Sequence, residues 1–225
     1  MVDEELIKKA REFHGHLCPF LVLGLRISEI GMEKLNVKSS KERRTLGEDL
    51  LAIVEVNNCI VDGIQVATGC TLGNNSLIYL DTGKNVVTFV RRDSWRGVRI
   101  YIDSERIVSK YFPEEANDLF DKVVKRREGT LEDQERLSRL WEELAYLMAE
   151  IPEEEFKIEE VIVEEIERAP IFESVRCSKC NELVMKPKAV EINGSFYCPV
   201  CADKELSAVI GRGIVHGIHY PVKEV

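Results

Sequence analysis

Two imidazoles and a thiol fall within five residues in Phe13-His14-Gly15-His16-Leu17-Cys18-Pro19-Phe20, directly ahead of an apolar run. Side chains of these types are transition-metal ligands, and they are also the parts of an activated nucleophile, a thiolate with its base. Pro19 suits the first helical position, where its missing N–H costs nothing, and this places Cys18 at the N-cap. There the unpaired amides and the positive end of the helix dipole favour a thiolate over a thiol. His14 and His16 sit in a glycine-loosened turn from which both can swing onto the same point. The plainer alternative makes the histidines turn residues and Cys18 a small buried hydrophobe.

A second group of candidates follows in Cys59-Ile-Val-Asp-Gly-Ile-Gln-Val-Ala-Thr-Gly-Cys70-Thr-Leu-Gly-Asn-Asn. On a helix, Cys59 and Asp62 lie three apart on one face, so a thiolate and a carboxylate can converge. Asp62 can equally be a capping or solvated carboxylate. Gly69 ends such a helix, and Cys70 opens a loop. A straight helix over 59–69 separates the two cysteines by roughly 16 Å at about 1.5 Å per residue, too far for one ion. Either only one belongs to the site, or the segment bends, or the two thiols serve different sites.

The most specific spacing is C-terminal: Cys177-Ser-Lys-Cys180 and Cys198-Pro-Val-Cys201, seventeen residues apart. These knuckles flank a hairpin of Ala189–Ile192, an Asn193-Gly194 turn and Ser195–Tyr197. Four thiolates at tetrahedral reach are the donor set of structural zinc. Residues 199–209, opening with Pro199, are expected to be helical, which favours a treble-clef finger over a pure zinc ribbon. So small a module has little core of its own, and its fold should depend on the metal. Lys179, Lys186, Lys188 and Lys204 make only a weak electrostatic case for nucleic acid. His216 and His219 fall in a tail expected to be mobile or packed.

The elements that must position these residues follow from periodicity. Leu6, Ala10 and Phe13 predict a short amphipathic helix over residues 3–13, and the run from Pro19 to about Asn36 predicts a buried one. Lys38–Glu48 reads as a charged loop and Leu50–Val56 as a buried strand. Asn57 and Asn58 stop that strand and cap a helix from near Cys59. Leu77–Leu80, a turn at Asp81–Lys84, Val86–Arg91 and Val98–Ile102 predict an antiparallel meander. Arg91, Arg92, Arg96 and Arg99 with Trp95 form a basic cluster, read as a solvated sheet face paired with glutamates. Residues 113–127 and 131–151 predict two helices, the second with Leu137, Leu140, Trp141, Leu144, Met148 and Ile151 on one core stripe. Residues 156–167 alternate like a strand, and Pro170 marks a boundary. The fold class expected is α+β, an antiparallel sheet packed with helices plus a small four-cysteine module. Its divisions are 1–172 for the core, 173–210 for the zinc module and 211–225 for the tail.

With 225 residues the chain can bury a full core, and its net charge of −9 argues against a general nucleic-acid binder. The acidic N-terminus lacks the order of a signal peptide and no apolar run reaches membrane-span length, so a cytoplasmic protein is expected. Seven cysteines then point to metal and thiol chemistry before disulfides.

Phe13-His-Gly-His-Leu-Cys-Pro, followed by Cys59-x-x-Asp62-Gly-Ile-Gln65-x-x-Thr68-Gly-Cys70-Thr-x-Gly-Asn74, resembles the FmdE family, named for a component of formylmethanofuran dehydrogenase. The likeness spans roughly residues 5–165, and the four-cysteine finger is similar to an appendage of many members. The resemblance implies an archaeal-type α+β homodimer with a Cys/His cluster able to take a second metal ion. It also implies association with the molybdenum or tungsten enzyme that reduces CO2 onto methanofuran, in which other components carry the pterin and iron–sulfur chemistry. The candidate catalytic groups are His14, His16, Cys18, Cys59, Asp62 and Cys70, with His16, Cys18 and Cys59 as candidate core metal ligands. Gln65, Thr68, Thr71 and Asn74 would orient a small substrate. Phe20 stands where the family more often has glycine, and would narrow the pocket mouth above Cys18. The rival reading is a non-enzymatic regulatory or assembly protein whose finger binds protein or nucleic acid.

Overall fold

The computed structural model describes residues 2–37 and 49–222. Its contacts divide the chain into two units, residues 1–165 and 166–225. The loop expected over Lys38–Glu48 lies outside the described residues.

The first unit is built around one largely buried helix. Within α2 (Pro19–Lys34), Leu21, Val22, Leu23, Leu25 and Ile27 are fully enclosed, and a narrow stripe of Arg26, Glu29 and Glu33 reaches toward solvent. Around it stand α1 (Glu4–His14), α3 (Cys59–Thr68) and α6 (Leu131–Ala149). Each begins on a side-chain cap: Asp3 accepts from Glu5, Asn58 accepts from Ile60, and Thr130 with Asp133 forms a reciprocal capping box. Gly15 and Gly69 close α1 and α3 in the left-handed conformation.

Under α2 lies a five-stranded sheet of β1 (Leu50–Val54), β2 (Leu77–Tyr79), β3 (Val86–Arg91), β4 (Arg96–Ile102) and β5 (Phe156–Ile162), in the order β2-β1-β3-β4-β5. Alternate residues Leu50, Ala52, Val54, Val87, Phe89, Val98, Ile100 and Ile102 share one core with α2. Helix and sheet touch directly at Gly31, where a Cβ would stand 2.2 Å from the Phe89 ring.

The sheet departs from the expected meander at one strand. β2 pairs with β1, in parallel, with Ala52 opposite Leu77, because α3 carries the chain back between them as a crossover helix. The Asp81–Lys84 segment therefore leads from the edge strand past β1 to β3. The remaining pairs are antiparallel. Helix α4 (Ser104–Tyr111), capped by Asp103, has no counterpart in the sequence reading, and the helix expected over 113–127 is α5 (Glu114–Phe120) widening into a π-helical turn at Asp121–Lys125. The basic cluster is paired: Arg91 with Asp93, Arg96 with Glu160, and Arg99 with Glu55 and Glu159.

The second unit consists of three hairpins: β6 (Ser174–Arg176) with β7 (Leu183–Met185), β8 (Val190–Ile192) with β9 (Ser195–Tyr197), and β10 (Leu206–Ile210) with β11 (Gly213–Ile218). Asn193 and Gly194 both have positive φ, the turn that a two-residue hairpin loop demands. The helix expected over 199–209 is absent. Those residues turn and then enter β10, whose β-branched Val209 and Ile210 pair with Ile214 and Gly213. The module is thus ribbon-like, not a treble clef, and the expected tail supplies a strand.

One contact fixes the geometry of the first unit. Where α2 crosses α3, a Cβ on Gly24 would stand 2.2 Å from the Ile60 carbonyl oxygen, and a Cβ on Gly63 2.2 Å from the Leu21 carbonyl oxygen. No residue larger than glycine fits either position without parting the helices. Gly63→Ala is expected to destabilise the protein by on the order of 2 kcal/mol, the usual cost of overpacking a rigid contact. The check is the chemical-denaturation midpoint, and an unchanged midpoint would show that the crossing is not a constraint.

Candidate functional site

The crossing sets two helix N-termini side by side, and each begins on a cysteine. Cys18 is the N-cap of α2 and Cys59 the first residue of α3. Their thiols are close enough for each to shift the ionisation of the other. Donation from Cys18 draws the Cys59 thiol from an ordinary 9.0 down to about 6, with the charge of His14 adding to the effect. Cys18, buried and acting as donor, is pushed well above the ordinary thiol range. The N-cap position was expected to make Cys18 the thiolate. The neighbouring Cys59 thiol first, and burial second, instead push Cys18 up in spite of the amides of α2.

His14, the last residue of α1, reaches the pair from the other side. Its Nδ1 lies 2.7 Å from Asp62 Oδ2, and Asp62 Oδ1 accepts from Gln65 Nε2 at 3.1 Å. Burial disfavours the imidazolium, but the Asp62 hydrogen bond and the Cys59 charge outweigh it, and the pKa of His14 is raised. The Nε2 of His14 is buried without a hydrogen-bond partner. His16 packs 4.5 Å from the His14 ring and stacks on Trp141 at 5.9 Å; burial, then His14, lowers its pKa. Ligand atoms of His14, His16 and Cys18 all lie within 4.8 Å of one another.

This cluster opens into a cavity of about 600 Å³. Cys18 and Cys59 line it together with Phe20, Val108, Phe112, Phe120 and Trp141, while the exposed His16, Glu105, Asn117 and Lys125 supply polar groups. A larger surface hollow of about 810 Å³ beside α1 is edged by charged residues such as Glu4, Lys8 and Arg11 and contains none of the cluster. The residues of α4 to α6 were missed from the sequence. Trp141 lay on a core stripe, and nothing local distinguishes a tryptophan that packs from one that walls a cavity.

Other candidates are placed elsewhere. Cys70 is buried, and its Sγ donates to the Leu50 carbonyl at 3.4 Å. The straight α3 keeps it a helix length from Cys59. Thr68 Oγ1 donates to the Ile64 carbonyl and accepts from the Cys70 amide. Thr71 and Asn74 exchange hydrogen bonds, and Asn74 also donates to the Gly69 carbonyl. These three polar residues hold the α3–β2 loop, and Gln65 holds Asp62; none of the four lines the cavity.

In the second unit, Cys177, Cys180, Cys198 and Cys201 present sulfur atoms within 4.8 Å of one another. Cys180 and Cys198 stand 4.0 Å apart, against about 3.8 Å for two sulfurs on a tetrahedral ion with 2.3 Å bonds. The Cys201 amide points at Cys198 Sγ at 3.3 Å, as in a metal knuckle. The Cys180 amide leads the groups that bring Cys177 down to about 6, while donation to Cys198 pushes Cys201 up to about 12. Four adjacent thiols cannot all ionise without a cation, so the donor set calls for one. His216 does not join it; its Nδ1 lies 2.8 Å from Ser207 Oγ.

The profile of a family described as "FmdE, Molybdenum formylmethanofuran dehydrogenase operon" matches residues 13–157, the span that carries the whole cluster. The chain belongs to the FmdE family. A relative by sequence, from Archaeoglobus fulgidus, is described as a "Probable S-adenosyl-L-methionine-binding protein" and is 58% identical over 210 residues, 93% of this chain. The chain spans only 56% of that relative's length. A solved structure, that of a tungsten formylmethanofuran dehydrogenase FmdE-like protein from Syntrophus aciditrophicus, shares the fold with a TM-score of 0.53 at 21% identity, covering 88% of this chain and 91% of that one. Among the described residues no helix of this FmdE protein is long and apolar enough to cross a membrane.

The arrangement supports two chemistries, metal ligation and a thiolate with its base. In metal-stripped protein, iodoacetamide labelling of Cys59 should rise with pH through about 6 and level off above it, as the thiolate forms. His14→Ala should move the midpoint upward by removing a positive neighbour. A midpoint near 9, read by peptide mass mapping, would refute the coupling of Cys59 to its neighbours. Chelation should unfold the second unit, since finger modules of this size owe on the order of 10 kcal/mol of apparent stability to their metal. Loss of its backbone NMR dispersion on adding chelator is the check.

Proposed function

We propose that the first unit binds a transition-metal ion beside a small-molecule cavity, with His14, His16, Cys18 and Cys59 as the ligands and zinc as the ion best matched to them. The observation that carries this reading is His14: one ring nitrogen is bonded to a carboxylate, and the other is buried, unpartnered and among sulfur and nitrogen donors. A carboxylate behind a histidine is how metal-binding imidazoles are oriented and made more basic. Held by all four groups such an ion would have a closed shell, and it would supply Lewis acidity to a ligand in the cavity only by exchanging one of them for it. Asp62 and Gln65 hold His14 in place, Trp141 holds His16, and the phenylalanine walls exclude water. On the family's description we also read this chain as an accessory protein of formylmethanofuran dehydrogenase, on the sequence resemblance as a homodimer, and on the donor set as holding zinc in its four-cysteine module. Seven cysteines without a disulfide suit a cytoplasmic setting.

The name of the A. fulgidus relative adds a ligand to try. S-adenosyl-L-methionine carries a sulfonium cation and a flat base, and a cavity of about 600 Å³ walled by Phe112, Phe120 and Trp141 offers rings for both.

Elemental analysis of the full chain tests the metal proposal. Wild-type protein should hold two ions, and Cys18→Ser and His14→Ala should each hold one. A single ion in the wild type, unchanged by either substitution, would overturn it.

A further inference from the structure

Cys18 and Cys59 meet as a pair with unequal access. Cys59 is half-buried and lines the cavity, while Cys18 is only 4% exposed. The two backbones are pinned together at Gly24 and Gly63, within two helical turns of both sulfurs, so the pairing is rigid. The third cysteine of this unit, Cys70, is engaged at the Leu50 carbonyl and does not compete. An open sulfur with a closed one beside it, both facing one cavity across a rigid crossing, is the arrangement of an attacking thiol and its resolving partner.

We infer that, when free of metal, this pair is a thiol–disulfide exchange site for small organic disulfides, with Cys59 as the attacking sulfur and Cys18 as the resolving one. This goes beyond the metal proposal and uses two of the same side chains, so metal and substrate exclude one another. The Cys59 sulfur attacks one sulfur of a disulfide R–S–S–R in the cavity. The substrate S–S bond breaks, a Cys59–S–S–R mixed disulfide forms, and the first RS⁻ leaves and takes up the proton that Cys59 gave. Cys18 then attacks the Cys59 sulfur, and its proton goes to the second departing RS⁻. The net change is one Cys18–Cys59 disulfide and two RSH from two protein thiols and one R–S–S–R, with two electrons passed to the substrate. A dithiol reductant runs the sequence backwards. His14, held by Asp62 at 2.7 Å, stands beside the attacking sulfur throughout. The walls of Phe20, Phe112, Phe120 and Trp141 suit apolar R groups and make favourable sulfur–aromatic contacts.

The test uses the full chain, reduced and stripped of metal, with bis(2-hydroxyethyl) disulfide as the probe and peptide mass mapping as the readout. Wild-type protein should yield a Cys18–Cys59 linked peptide. Cys18→Ser should stop at 2-mercaptoethanol joined to Cys59, and Cys18→Ala, verified as folded by circular dichroism, should do the same. Cys59→Ser should lose both products. Absence of the linked peptide in wild type, or a mixed disulfide that persists on Cys59 with Cys18 present, overturns the inference. Mapping keeps the finger cysteines separate. Protein that binds a core metal but never forms the link refutes this inference alone, and protein that forms the link but binds no core metal refutes only the metal proposal.

Discussion

The close approach of Gly24 and Gly63 is the constraint on which the rest depends. Helices usually pack 8–10 Å apart because side chains stand between them. Here carbonyl oxygens of each helix occupy the space that a Cβ on the other would need. Two chain segments distant in sequence thus have their N-terminal ends held together, and Cys18 and Cys59 become neighbours. The constraint extends outward through α2. Its enclosed leucines tie the crossing to the sheet, and Gly31 against Phe89 sets the depth at which the helix lies. Arg26, donating to the Ile151 carbonyl at 2.9 Å, ties it to the end of α6.

From that neighbourhood the electrostatics follow. Two thiols in contact in a low-dielectric interior cannot both ionise, so a proton stays on one. The partner thiol acts in opposite directions on the two: Cys18, which is also the more enclosed, is pushed up, and Cys59, with His14 adding to the effect, is drawn down. Asp62 completes the chain of charge by holding His14, and Gln65 steadies Asp62. A helix N-terminus alone would have favoured a thiolate at either cysteine, and its effect is smaller than that of the partner thiol.

Much of the fold was legible because its signals are local. Pro19 at a helix start, Asn58 as a cap, Gly69 as a stop and Asn193-Gly194 as a turn all act within a few residues, and all behave as their chemistry dictates. The His-x-His-x-Cys spacing likewise brings its three side chains to one point. What failed was non-local. The pairing of β2 with β1 depends on where α3 lies, which no turn at Asp81–Lys84 records. Pro199 suggested a helix, but the apolar and β-branched residues beyond it find a partner in β11, and pairing overrides a start signal. Thr68, Thr71 and Asn74 were expected, from the family motif, to orient a substrate; in the structure they bond within the loop itself. The cavity walls come from three helices that only the tertiary fold assembles.

The wall of the cavity has its own support. Ala116, Leu140 and Leu144, with Phe112 and Leu119, form a small cluster separate from the main core, and the π-helical turn after Phe120 loosens the backbone beside it. Elements with few buried neighbours open at a free energy below that of global unfolding. The segment from α5 to the π-helical turn can therefore fluctuate as a unit of its own while α2, α3, the sheet and α4, anchored in the main core by Ile107, stay folded. Exposure of the buried sulfurs and imidazoles is then set by a local opening equilibrium, and the stability of the core and the accessibility of the site become separately adjustable properties of one chain.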